Sequence, residues 1–137
     1  MTHYRPYIEK ALPGLLLLYA IASFVHFTHN AEFIADYPNL PAWLTRVQVY
    51  AVWLGITAVG LLGYCLLPIW RRLGLVVLVV YAAVGFDGLL HYTRAPFAAH
   101  TGTMNLTIWS EVVAAALVLT AVMVLVLGPK GVIARRL

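Results

Sequence analysis

Five side chains carry most of the chemistry open to this 137-residue sequence: His26, Asp87, His91, His100 and Glu111. Histidine nitrogens and carboxylate oxygens are ligands for zinc, copper, iron and manganese. The same groups serve as general acids and bases. Asp87 and His91 stand four residues apart, one helical turn, so a helix would present them on one face. His26 has His29 at i+3 and Asn30 at i+4, and Glu111 has Thr107 one turn before it. All but His100 fall within strongly apolar stretches, where an ionisable side chain is costly and marks function by default.

Those stretches decide the class of protein. The sequence is 63% hydrophobic and only 10% charged, with a mean hydropathy of +0.88, well beyond what a soluble domain of this size needs. Four runs, over residues 12–30, 47–70, 73–92 and 105–127, each hold about 20 residues, the length that crosses a ~30 Å hydrocarbon core. The expectation is an all-α integral membrane protein, one transmembrane domain spanning residues 1–137 as a bundle of four helices. Its outer loops would cover residues 31–46 and 93–104. The first run is long, contains His26 and His29, and has no small-x-small cleavage signal after it, so it reads as a span rather than a signal peptide. The single Cys65 forms no internal disulfide and is expected as small core filler.

Basic residues set an orientation. Arg5, Lys10, Arg71, Arg72, Lys130, Arg135 and Arg136 fall at one end of the bundle, and only Arg46 and Arg94 at the other. The positive-inside rule then puts both termini in the cytoplasm, and the net charge of +4 reflects topology rather than nucleic-acid binding. Trp43 and Trp70 suit interfacial anchors. The loop sequence Tyr37-Pro38-Asn39-Leu40-Pro41-Ala42-Trp43, with Phe33 and Ile34 before it, is too apolar to be freely solvated and is expected to pack over the outer mouth or lie in the interface. Ala51 and Gly55, Gly85 and Gly88, and Ala114 to Ala116 are small residues of the kind that let membrane helices approach closely.

At 1.5 Å per residue, His26 and Asp87 lie about 21 Å above the inner edge of their runs and Glu111 about 24 Å. Three helices thus bring polar side chains to one level toward the outer face. The first reading is a transition-metal site, zinc or copper, with His26, His91, His100 and Asp87 as ligands, His29 as a possible fifth, and Glu111 as ligand, outer support or acid/base. It would serve metal handling or lipid-directed chemistry. The second is a metal-free acid/base or ligand pocket lined by Tyr50, Trp53 and Trp109, taking a lipid or sterol-like apolar molecule. The third is haem held by His26 and His91. The fourth is a structural or assembly subunit, in a homo-oligomer or with a membrane partner. There Asp87 would pair with His91 or Arg94, and Glu111 with Arg46, as polar glue.

Three resemblances attach to these residues. Asp87-x-x-x-His91 followed by His100 resembles the copper-ligand pattern of the C subunit of membrane-bound methane and ammonia monooxygenases, with a shorter interval before the last histidine. The same Asp-x-x-x-His resembles a zinc-hydrolase motif of seven-helix ceramidase and adiponectin-receptor-like proteins, whose later His-x-x-x-His has no counterpart here. Four helices, buried acids and Pro41-Ala42-Trp43 before the second helix are similar in architecture to EXPERA membrane proteins, which implies a sterol-like ligand.

Overall fold

A computed structural model describes residues 5–128. Four apolar helical segments, each long enough to cross a membrane, make up the chain, and no strand occurs among the described residues. Helix α1 is Arg5–Glu32, α2 is Arg46–Leu66, α3 is Arg71–Val84, the short α4 is His91–Arg94, and α5 is Gly102–Leu127. The segment from α3 through α4 acts as one span, Arg71–Arg94. Helix α1 packs on α5 and α2, and α3 packs on α2 and α5, so the four spans form a closed square with α1 opposite α3.

Local sequence fixes the helix ends. Thr45 caps α2, its hydroxyl accepting from the Gln48 amide while the Gln48 side chain takes the Thr45 amide, a reciprocal cap that satisfies otherwise orphaned donors. Thr101 caps α5 by accepting from the Met104 amide at 3.2 Å. Helix α2 ends at Leu66, four residues short of the expected 70, because Pro68 cannot continue it. Helix α1 starts earlier than residue 12 and carries Pro13 within it.

The third span departs most from expectation. A continuous helix over 73–92 is replaced by α3, a break at Gly85 and Phe86, a 3-10 turn over Asp87–Leu90, and then α4. Gly85 lies so close to α1 and α5 that an added Cβ would collide with the Tyr19 hydroxyl and stand 2.6 Å from Ala115 Cβ. Gly88, one turn on, has Ile108 at 3.4 Å and His26 Nε2 at 3.6 Å from the same position. Gly85 lets this stretch of backbone press into the bundle where a residue with a side chain would be held away, and Gly88 meets only ordinary van der Waals contacts. A mid-span 3-10 segment commonly marks a functional region. Gly85→Val should therefore cost about 1–3 kcal/mol through overpacking, read as a lower thermal midpoint in detergent, with Ala116→Val on the same bundle as control.

Below the break the interior is apolar. Leu12, Leu75, Leu78, Val118, Val122 and Leu125 are buried together, roofed by Tyr19 and Tyr81, whose rings lie 4.6 Å apart. Gly55 has nothing within 4 Å of an added Cβ and Ala51 is exposed, so this expected contact is absent; α2 instead meets α3 through Gly60 beneath Tyr81 and Gly63 beneath Leu78. Cys65, expected in the core, is exposed on α2. Lys130, Arg135 and Arg136 lie outside the described residues.

Candidate functional site

Above the tyrosine roof the interior turns polar. His26 and Glu111 are among the most deeply buried side chains, 1% and 0% exposed, on facing helices α1 and α5. His26 Nε2 stands 3.7 Å from Glu111 Oε2. Among the described residues Glu111 has no other ion-pair partner, and neither of its oxygens has a hydrogen bond. Ser23, one turn below His26 and equally buried, faces the same carboxyl.

A chain of hydrogen bonds fixes the protonation pattern around His26. The Thr107 hydroxyl donates to the Met104 carbonyl at 3.0 Å, so its oxygen can only accept from His26 Nδ1 at 3.3 Å. That makes His26 Nε2 the acceptor. Asn30 supplies the donor: its Nδ2 donates to His26 Nε2 at 3.1 Å and to His91 Nε2 at 3.2 Å. One amide thus bridges α1 to α4, and the bond leaves the His91 proton on Nδ1, which is buried and has no partner. Asn30 reads in the sequence as an ordinary helix-end residue, yet it is the hub of the site; its i+4 spacing from His26 was the available signal.

Asp87 is half-buried at the 3-10 turn, its carboxyl beside the Gly88 amide, with Oδ1 left without a partner. It forms no ion pair with Arg94, and Arg46 pairs at 2.7 Å with Glu32 rather than with Glu111. The polar-glue pairings expected from the sequence are therefore not made. His100 is buried on the connection between α4 and α5, its ring 6.1 Å from that of His91, with Nδ1 donating to the Pro96 carbonyl at 3.1 Å. His29 meets the cluster through Tyr37: its Nδ1 and the Tyr37 hydroxyl share a hydrogen bond at 2.9 Å.

The expected tetrad of His26, His91, His100 and Asp87 is thus gathered at one end of the bundle without forming a ligand set. Among the described residues no three His, Cys, Asp or Glu side chains converge as a metal ion requires. The physical reason is Asn30, whose amide fills the space between the two Nε2 atoms an ion would share. The aromatic lining is also dispersed. Tyr50 donates to Glu32 at 2.8 Å, Trp53 packs against Phe24 and the Phe27–Val49 cluster, and Trp109 lies on an outward groove of α1 and α5 near Tyr92.

What opens beside the cluster is a cavity of about 180 Å³. Its polar wall is His26, Asn30, Asp87 and His91, with Arg94 among the lining residues; Phe27, Val49 and Val52 form an apolar wall, closed by Leu40 and Leu44 of the connection between α1 and α2. That loop does pack over the mouth, as its apolar content predicts. Tyr37 is buried against the His91 ring, centroids 4.9 Å apart. Burial pushes the Tyr37 phenol up to about 12, so it stays a hydrogen-bond donor through the neutral range. Asn39, in the left-handed conformation at φ 57°, donates to the Arg94 carbonyl at 2.9 Å and clasps the loop to α4. Trp43 stays 70% exposed at the rim. Tyr37→Phe is expected to remove about 1 kcal/mol of local stability, seen as faster amide exchange confined to residues 33–45.

Comparison with family models, with curated proteins and with solved structures gives no match.

Proposed function

We propose that this protein is a multi-pass membrane protein that holds a small, largely apolar molecule by its polar head, with His26 and Asp87 as the acid/base groups at that head and Glu111 behind His26 as its proton partner. The observation that supports this most is the two-sided lining of the cavity: convergent His26, Asn30, Asp87 and His91 on one side, and Phe27, Val49, Val52 and Leu44 on the other. An apolar cavity with a few converging polar groups is the usual form of a small-molecule site. Its volume of about 180 Å³ is close to that of an apolar cavity that takes up one benzene ring, and smaller than any haem macrocycle. The remainder of a longer molecule would lie along the apolar wall toward the bilayer.

The chemistry is proton exchange at the head. His26 Nε2 accepts a proton in the arrangement seen, and the Glu111 carboxyl is its nearest ionisable neighbour. Together they move one proton between imidazole and carboxyl, while Asp87 faces the bound head from the 3-10 turn. The described basic residues Arg5, Lys10, Arg71 and Arg72 sit at the opposite end of the bundle from this site. With the positive-inside rule they orient the termini to the cytoplasm and the site toward the outer face.

The test is organic extraction with mass spectrometry, beside elemental analysis, on protein purified gently without chelators, and on His91→Ala. A stoichiometric organic molecule in the wild type that is depleted in the variant is the expected result. A stoichiometric zinc or copper ion lost in the variant would overturn the reading in favour of metal chemistry.

A further inference from the structure

A second opening lies toward the other end of the bundle, on its outer surface. Near the polar site α1 and α2 are joined by Phe24 against Trp53, ring centroids 5.0 Å apart, and by the buried cluster of Phe27 and Val49. Further down they leave a groove of about 260 Å³ between them. Pro13, Leu17 and Ala20 of α1 face Thr57, Leu61 and Tyr64 of α2 across it. Tyr81 of α3 forms the floor, its ring lying where a Cβ on Gly60 would stand. Pro13, Leu17, Leu61 and Tyr64 are exposed, so the groove opens outward along the bundle rather than into the core. From Pro13 to Ala20 it runs about 10 Å along α1. Beyond its lower end the surface turns basic. Lys10 precedes Pro13 by one turn and shares a face with Leu17, about 4.5 Å past the groove. It is exposed and, among the described residues, has neither a hydrogen bond nor an ion pair. The adjacent acid does not neutralise it, because Glu9 is engaged by both Arg5 and Arg71. Arg72 adds another cation at the start of α3.

We infer that this groove seats one acyl chain of an anionic phospholipid from the leaflet at the basic end, with the lipid phosphate paired to Lys10. The apolar walls match a hydrocarbon chain, and the unengaged cation one turn beyond them matches a phosphate at headgroup level. Basic pockets between transmembrane helices are a recurring form of anionic-lipid site. A second copy of the chain complements the groove less well. Copies in one membrane share an orientation, so a partner would bring its own Lys10, Arg71 and Arg72 to the same level, and Glu9, the one described acid at that end, is already engaged. A zwitterionic head offers the same phosphate but carries its own cation, so it gains less from Lys10. The Tyr64 phenol, two residues from the end of α2, stands at the same end as a further donor to the headgroup.

The experiment uses the full-length protein in detergent, titrated with phosphatidylglycerol and with phosphatidylcholine of identical acyl chains. Native mass spectrometry counts the lipids retained per chain. One phosphatidylglycerol per chain is expected, retained about fivefold more strongly than phosphatidylcholine, the worth of one basic residue at an anionic headgroup. Lys10→Gln should remove most of that preference while leaving the thermal midpoint unchanged, because Lys10 is exposed and makes no contact that holds the fold. Lys10→Arg should keep the preference. Ala20→Phe, which fills the groove, should weaken retention of both lipids. Equal retention of the two lipids by the wild type, or a preference that persists unchanged in Lys10→Gln, overturns the inference. A lipid-free dimer that dissociates in Ala20→Phe overturns it in favour of a second copy of the chain.

Discussion

Replacing Glu111 with leucine is expected to raise the thermal unfolding midpoint while weakening retention of the bound molecule, because Glu111 stands behind the cavity-lining His26. Glu111 is fully buried, both its oxygens lack hydrogen bonds, and its one ion-pair neighbour, His26, is already engaged by Asn30 and Thr107. A buried polar group in that condition costs about 1–3 kcal/mol. Leucine has similar bulk and would pack against Ile108, Ala115 and Tyr19 of the same interior. Replacing buried charge with well-packed apolar side chains is often neutral or stabilising, and a stability gain coupled to loss of function is the signature of a site maintained for use. If Glu111 were structural glue, the leucine variant would unfold at lower temperature. Thermal denaturation in matched detergent, followed by organic extraction, separates the two cases.

Asn30→Ala should have the opposite sign and the largest magnitude of any single change at the site. It removes two hydrogen bonds and strands His26 Nε2 and His91 Nε2 together. Each stranded nitrogen costs about 1–3 kcal/mol. The bridge also ties α1 to α4, so α4 and the loop between α1 and α2, clasped to it through Asn39, should loosen with it. Amide exchange across residues 85–101 is the measurement; protection unchanged from the wild type there would mean that Asn30 does not hold the site together.

The sequence carries the architecture well, because a span of about 20 apolar residues has few alternatives in a bilayer. The helix count, the packing of the apolar 31–46 loop over one end of the bundle and the meeting of His26, Asp87 and Glu111 at that end all follow from it. The site itself was only half visible. A four-residue spacing puts Asp87 and His91 on one face only if the helix is regular, and after the break at Gly85 the chain runs through that interval as a 3-10 turn. Both glycines were evident as small residues, but what they contact depends on Tyr19, Ala115 and Ile108, which are remote in sequence. The roles of Tyr37 and Asn30 are not legible in the sequence for a related reason. Neither is an unusual residue for its place, and each gains its role from partners such as His91 that only the fold brings near. Conversely Tyr50, Trp53 and Trp109 sit on the right helices, but their rings turn to the rim or the outer surface.

The account stands or falls on whether the cavity between His91 and Val49 is occupied by an organic molecule. Native mass spectrometry of the protein released directly from its membranes, beside a Val49→Trp variant that fills the cavity, is the most direct measurement. One tightly held organic adduct per wild-type chain, absent from a folded Val49→Trp variant, is the predicted result. A wild-type chain without an adduct, or an adduct retained unchanged when the cavity is filled, would contradict it.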